Sequence, residues 1–342
     1  MKMKHLQTEF NKFHQEIKLN DIDDNQVLRD KRDMLLKELS KWGKANDKPE
    51  FVSINQGSYS FGTGIQPLEG EDYDIDIGII YNLDVKDYDP VEVKKWVKEA
   101  LSGYNRTIDI KFPCVRVQYE KTGEPTYHVD FAIYGNEYKM LGALKYLCLA
   151  RGKEFSTDEY KYWEEAEPKK LKEILNDKFT NKEDRYQFKR CIRYLKRWKD
   201  KNFTKNGNAR PNGIAMTACG YHWFIPKTEE WNGEKGIDDL TALINLVDYI
   251  ISNNYGLDIT LPVLPGNELF EVLRANKAHE EDYIRKMKKL SKTLEEAKEE
   301  VDPHIAAKKL QKIFGEDFPV PPKKNTARVS GSPAIAPSTE SA

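Results

Sequence analysis

The chain has 342 residues, with 55 Lys and Arg against 56 Asp and Glu, for a formal net charge of −1. So balanced a charge offers no global field to a polyanion, which argues against a sequence-independent nucleic-acid coat protein but leaves a local basic site open. The length suits two domains or one large one, and the absence of a signal-peptide core in MKMKHLQTEFNKF or of any run of about 18 apolar residues predicts a soluble chain with no membrane partner.

In chain order, residues 26–43 place Leu28, Leu35, Leu39 and Trp42 at helical spacing, with Gly43 suited to the position just past the helix end. Extended segments follow at 51–56, 73–81, 112–119 and 126–134. The last two alternate well and are joined by EKTGEP, the pattern of an antiparallel hairpin. Val93, Val97 and Leu101 predict a helix over 89–101, so this half mixes α and β. From about residue 135 the periodicity turns helical. Phe188, Ile192 and Leu195 stripe residues 184–202, and 237–253 is strongly apolar. Tyr283, Met287, Leu290, Leu294, Ala297 and Val301 form a stripe too short for a coiled coil, and packing on the helical domain is expected. His222 and Trp223 read as core. The expected organisation is a core with an N-terminal spine helix over 1–165, a helical domain over 166–319 and a disordered Pro/Ser/Ala-rich tail over 320–342. Cys114, Cys148, Cys191 and Cys219 lie far apart without zinc-site spacing, as thiols of a reducing cytoplasm do.

In a strand, residues i and i+2 share a face. In YDIDIG, Asp74 and Asp76 therefore oppose Tyr73, Ile75 and Ile77; in YHVDFAI, Asp130 opposes Val129, Phe131 and Ile133. If the two strands are neighbours, three carboxylates converge, and such a cluster repels itself unless cations sit among them. Hard oxygen ligands of this kind suit Mg²⁺ or Mn²⁺, the pair of ions used for in-line phosphoryl transfer. The plain alternative is the solvent side of a half-exposed sheet. Acidic residues are depleted in strands, and three at the centres of apolar strands weigh against it. His128 shares the face of Asp130 and reads as a neighbour rather than a base.

Before these strands comes GSYSFGTG, with Gly57, Gly62 and Gly64 and hydroxyls at Ser58, Ser60 and Thr63. Glycines let backbone N–H groups approach a phosphate closely. A Gly-Ser pair alone is an ordinary turn, but its place between a short strand and the Asp-x-Asp strand sets a phosphate-holding loop beside a metal site.

Together these residues resemble the nucleotidyltransferase superfamily of DNA polymerase β. QGSYSFGTGIQPLEGEDYDIDIGIIY, YHVDFAIY and the helical half, over roughly residues 20 to 310, are similar to the bacterial cGAS/DncV-like nucleotidyltransferases of CBASS antiphage defence. The resemblance implies an α+β fold, with a polymerase β-like mixed-sheet lobe and a C-terminal helical lobe. It also implies synthesis of a cyclic di- or trinucleotide from nucleoside triphosphates with release of pyrophosphate. Asp74 and Asp76 would hold two Mg²⁺ (or Mn²⁺) ions, and Asp130 would complete the site and help deprotonate the attacking ribose hydroxyl. Ser58, with Gly57 and Gln56, would hold the triphosphate. Lys196 resembles a phosphate-gripping lysine of the second domain, and Arg193 shares its helix face. Asn212 stands where animal relatives carry a serine, with Thr217 as the fallback. Of the other cations on that helix, Lys189, Arg190, Arg197 and Lys199, most are expected to form a solvated face.

The resemblance further implies a tail that is conjugated by a ubiquitin-ligase-like partner or that docks a HORMA-type regulator. No DNA activator is implied, because the zinc-binding insertion of the animal enzyme has no counterpart. Two other readings stay open: a template-independent transferase adding nucleotides to RNA or a small molecule, and an inactive nucleotide-binding module.

Overall fold

The computed structural model describes residues 5–19, 23–103, 105–119, 127–139, 144–204, 207, 209–231 and 234–323. The EKTGEP connection at 120–125 and residues 324–342 of the expected tail lie outside the described residues.

Two helices open the chain, α1 (His5–Ile17) and α2 (Asp23–Ala45). The stop expected at Gly43 does not occur there. The amide of Asn46 still bonds back to Trp42, and the left-handed residue that turns the chain is Asp47, with φ 50°. Gly43 lacks the positive φ that would make it a cap, so it sits inside α2 at a cost of about 1 kcal/mol relative to alanine.

The sheet lobe follows: β1 (Phe51–Asn55), the one-turn helix α3 (Gly57–Ser60), β2 (Tyr73–Asp84), α4 (Pro90–Leu101), β3 (Arg106–Ile110), β4 (Val115–Tyr119), β5 (Tyr127–Lys139), β6 (Leu144–Arg151) and β7 (Tyr162–Glu165). Helix α4 starts where the sequence demands, with Pro90 in its first turn and the Asp89 carboxylate accepting from the amides of Val91 and Glu92. The strand order is β1-β2-β5-β4-β3, with β6 and β7 continuing from β5. Strands β2 and β5 are parallel neighbours, and β4 pairs antiparallel with β5, as expected. Leu35 and Leu39 of α2 and Val93, Val97 and Leu101 of α4 pack on Ile75, Ile77, Val129 and Phe131. Strand alternation then leaves Asp74, Asp76 and Asp130 on the opposite face.

Strands persist beyond residue 135, where helices were expected. In LKYLCLAR the apolar residues fall on both faces, a pattern that periodicity alone cannot assign. Pairing with β5 and β7 decides it.

The second lobe contains α5 (Pro168–Asp177), α6 (Lys182–Asn202), α7 (Gly213–Trp223), the hairpin β8 (Thr228–Trp231) and β9 (Glu234–Ile237), and α8 (Asp239–Ser252). The hairpin β10 (Thr260–Leu261) and β11 (Leu264–Glu268) leads to α9 (Glu271–Arg274), α10 (Lys277–Glu299) and α11 (Pro303–Phe314). Tyr283, Met287, Leu290, Leu294 and Ala297 of α10 are buried in this lobe's core as expected. Val301 lies past the helix end and is 81% exposed. His222 is exposed on the last turn of α7, not in the core, while Trp223 packs against the core from its edge. Helix α1 also joins this core: Phe10 and Phe13 flank Tyr194 and Phe318, with ring centroids 5.1 to 5.2 Å apart.

The basic helix α6 runs between the lobes, and this overturns the expectation of a mainly solvated cationic face. Arg190, Arg193, Lys196 and Arg197 are all buried. Arg190 donates twice, at 2.7 Å, to the fully buried Asp239. The next three grip the backbone of the loop after α3. Arg193 donates to the Gly62 and Gly64 carbonyls, Lys196 to the Thr63 carbonyl and hydroxyl at 3.1 Å, and Arg197 to the Gln66 carbonyl at 2.8 Å. Hydrogen bonds from charged donors contribute about 1.5–3 kcal/mol each, so this face holds the phosphate-type turn against the helical lobe. The described residues form an α+β protein with a mixed-sheet lobe and a helical lobe. No described helix is long and apolar enough to cross a membrane.

Candidate active site

The glycine turn and the acidic strand are locked together by backbone. The Gln56 amide donates to the Asp76 carbonyl at 3.0 Å, and Gly57 follows with φ 62°. A Cβ on Gly57 would lie 2.6 Å from Cγ of Asp76, so only glycine lets the turn rest on that carboxylate. Ser58 and Tyr59 continue into the single turn of α3, and the Ser60 hydroxyl donates back to the Gly57 carbonyl. Phe61 then buries its ring in the helical-lobe core. The turn therefore belongs to the sheet lobe at one end and to the helical lobe at the other.

Parallel pairing of β2 and β5 sets Asp76 beside Asp130 and Asp74 beside His128. The carboxylates converge as the alternation predicts. Burial raises the Asp76 pKa well above the usual carboxylate value, and the charges of Asp74 and Asp130 push it the same way; Lys196 and Arg116 oppose them. His128 is more than a bystander: its Nε2 lies 3.1 Å from Asp74 Oδ1.

Arg116 was missed in the sequence. It sits opposite Asp130 in the β4–β5 register and donates to both its oxygens, Nε at 2.8 Å and Nη2 at 2.6 Å. The signal was present, because in the predicted hairpin the arginine at the centre of PCVRVQY falls on the face opposite Val115 and Val117, which is the face of Asp130.

The nucleotide-binding candidates divide between two cavities that meet at Gly57 and Asp76. One, of about 360 Å³, is lined by Ser58, Asp74, Asp76, His128, Lys196 and Thr217 among others. The second, of about 910 Å³, includes Gln56, Tyr134, Arg151, Asn212, Ile214 and Leu269. Gln56 uses its side-chain amide on the Tyr134 hydroxyl. Asn212 caps α7, its Oδ1 accepting from Ala215 at 2.7 Å and its Nδ2 donating to the Leu269 carbonyl at 3.1 Å. It is thus brought to the second cavity, and Thr217, the fallback, to the first. Arg193 lines neither, since its guanidinium is directed to the loop carbonyls. Burial, reinforced by Lys199 and Arg193, lowers the Lys196 pKa to about 7.

The donor chemistry fits a hard divalent cation. Ligand atoms of Asp74, His128 and Asp130 lie within 4.8 Å of one another, and Asp76 faces the same space from β2. Burial is the larger cause of the raised Asp76, and the repulsion from Asp74 and Asp130 that adds to it is the condition a cation relieves. Asp130 is shared with Arg116, whose two bonds still leave lone pairs on each carboxylate oxygen.

Residues 49–134 match the family model described as the nucleotidyltransferase domain of cyclic GMP-AMP synthase DncV-like proteins. A cyclic GMP-AMP synthase from Escherichia albertii is 27% identical over 170 residues, a match covering 47% of this chain and 34% of that relative, so the chain spans about a third of its length. The crystal structure of the Vibrio cholerae DncV cyclic AMP-GMP synthase superposes with a TM-score of 0.68 at 16% identity, over 91% of this chain and 96% of that one. Escherichia coli DncV bound to 3′-deoxy GTP gives 0.66 at 15% identity, over 90% and 97%. These likenesses establish the polymerase β-like fold with its helical lobe. Residues 49–134 thus match a DncV-like nucleotidyltransferase domain, and the chain is similar in fold to the DncV structures.

Proposed function

We propose that this chain is a cyclic oligonucleotide synthase that joins nucleoside triphosphates into a cyclic di- or trinucleotide messenger, acting in the cytoplasm in CBASS antiphage defence. The observation that carries the reading is the seating of the Gly57 turn on Asp76 between two cavities, with Asp74, Asp76 and Asp130 on one sheet face. Two adjoining cavities that share one carboxylate suit two nucleotides meeting at one reacting phosphate. The similar Vibrio cholerae protein has been crystallised with ATP and GTP, and with the linear intermediate 5′ pppA(3′,5′)pG.

In this reading Ser58 and the Gly57 turn bind the triphosphate of the donor nucleotide, with Lys196 opposite. A ribose hydroxyl of the acceptor bonds to the α-phosphorus, the bond to pyrophosphate breaks, and Asp130 receives the hydroxyl proton. Arg116 orients Asp130 through its bidentate contact. Asp74, Asp76 and Asp130 would hold Mg²⁺ or Mn²⁺, two ions in this scheme, and such ions when bound neutralise phosphate charge and acidify a hydroxyl. The protein's own contribution is positioning and preorganised charge. A second round closes the ring.

The test is an assay with α-labelled ATP, GTP, CTP and UTP that follows pyrophosphate and phosphatase-resistant label together. Both should appear with the wild type and neither with Asp130→Asn. Label that remains phosphatase-sensitive and lengthens stepwise points instead to a linear, template-independent transferase.

A further inference from the structure

Strand β5 changes partners along one edge, and the break is filled from the helix-covered face of the sheet. Val115 of β4 stands opposite Phe131 and Leu149 of β6 opposite Tyr134, while β2 keeps to the other edge. At Ala132 and Ile133 the edge therefore passes from one strand to the next, where the turn entering β4 meets the chain leaving β6. Backbone carbonyls at such a break lie outside the ladder and need other donors. Lys94 of α4 supplies them. Its Nζ donates to the carbonyls of Lys111 at 3.1 Å, Phe112 at 2.7 Å and Gly152 at 2.9 Å, which uses all three ammonium protons. The Gly152 amide in turn donates to the Phe112 carbonyl at 3.1 Å. Lys94 is fully buried, and every one of these three bonds goes to a neutral carbonyl rather than to a carboxylate.

The segments it joins form one wall of the second cavity, which Phe112, Pro113, Arg151, Tyr162 and Glu164 line. The Phe112 and Tyr162 rings meet edge to face at 6.2 Å, and the Arg151 guanidinium stands 5.7 Å from the centroid of the Phe112 ring. Arg151 Nε donates to Glu164 at 2.7 Å. A ring and a guanidinium side by side suit the face of a nucleobase. Burying an ammonium without a counter-ion is costly where an apolar side chain would not be, and the bonds that offset this cost all run to the backbone behind that wall. We propose that Lys94 is a positioning residue for nucleotide binding: it holds Phe112 and Arg151 in place across the break in the sheet without touching the nucleotide itself. The inference rests on the reading above, in which the second cavity takes one of the two nucleotides, and deepens it.

The experiment follows pyrophosphate release with Mg²⁺ while ATP, GTP, CTP and UTP are lowered in turn from saturation, which gives turnover and a half-saturating concentration for each nucleotide consumed. Lys94→Met should raise one of these concentrations about tenfold and keep turnover at saturation within about twofold, because the wall is loosened and the reacting groups are not. Gly152→Ala should move the same concentration in the same direction. A Cβ there would lie 2.9 Å from the Tyr160 carbonyl oxygen at a φ of 121°, so the substitution displaces the Gly152 carbonyl from Lys94. This variant carries the test should Lys94→Met fail to fold. Lys95→Met, which removes a surface pair with Glu92 from the same helix, should change neither quantity. A fall in turnover with unchanged half-saturation marks Lys94 as merely structural and overturns the inference, as does half-saturation unchanged in both Lys94→Met and Gly152→Ala. A wild-type protein that releases no pyrophosphate from any of the four overturns the nucleotidyltransferase reading and this inference with it; a wild type that turns over, with unaltered half-saturation in the variants, overturns the inference alone.

Discussion

Gly57 rests on Asp76: a single added methyl on the glycine would stand 2.6 Å from Cγ of that carboxylate, at a backbone φ of 62°. The phosphate-type turn and the acidic strand are therefore one unit, joined also by the amide of Gln56 on the Asp76 carbonyl. Gly57→Ala is expected to cut product formation at least about 100-fold, the scale of a misplaced reacting group, while costing about 1–2 kcal/mol in left-handed backbone strain. Gly70→Ala is the control. Its φ is 77°, but a Cβ there meets nothing within 4 Å, so it should lose comparable stability and keep its activity. Thermal melts and pyrophosphate release measured on both variants separate strain from site disruption.

Asp76 is a carboxylate that the apo fold carries at a cost, because burial and its neighbours Asp74 and Asp130 raise its pKa. A folded-state pKa above the unfolded one means the destabilisation is absent at low pH, sets in as pH rises past the unfolded value and is complete above the folded one. At neutral pH without divalent metal, Asp76→Asn should stabilise the protein by about 1–2 kcal/mol, the usual trade of a strained functional site. The same variant should make no product. Melting curves with and without Mg²⁺ check the cause: the ion should raise Tm in the wild type and do so less in Asp76→Asn.

Lys196, held at about pH 7 by burial and by Lys199 and Arg193, gives the site a pH dependence of definite sign. A triphosphate beside the amine favours the charged form and raises its pKa. Between about pH 7 and the raised value the complex binds more protons than the free protein, so nucleotide affinity should fall as pH increases through that window. Calorimetric titration at pH 8 in buffers of different ionisation enthalpy should show net proton uptake on binding in the wild type. Lys196→Arg, charged throughout, should show less.

The buried pair of Arg190 and Asp239 is a structural element apart from the cleft. Asp239 accepts two bonds of 2.7 Å from Arg190 and one of 2.9 Å from the Tyr194 hydroxyl, and its own amide donates to Gln7 of α1. Asp239→Ala leaves a buried guanidinium without its partner and is expected to cost about 3–5 kcal/mol. Urea denaturation of this variant, beside the double variant Arg190→Met/Asp239→Leu, should show the double losing less than the single.

The acidic face was legible in the sequence because strand alternation is strict: once Ile75, Ile77, Val129 and Phe131 face the core, Asp74, Asp76 and Asp130 cannot. Arg116 was legible by the same rule applied to the predicted hairpin. The cations of α6 were not, because periodicity places Arg193, Lys196 and Arg197 on one side of a helix without saying that a loop from the other lobe lies there. Burial of those residues depends on contacts more than 130 positions apart, such as that of Arg193 with Gly62, which no local pattern encodes. Strand β6 was missed because its apolar residues occupy both faces, and Gly43 was misread because a cap depends on φ, not on residue type alone.

Mass spectrometry of the product made from a mixture of ATP, GTP, CTP and UTP with Mg²⁺ tests the central claim most directly. The account predicts a phosphatase-resistant species whose mass is the sum of two or three nucleoside monophosphates less one water per linkage, ring closure included, and its absence with Asp130→Asn. Products that all retain a terminal triphosphate, or an identical product from Asp130→Asn, would contradict it.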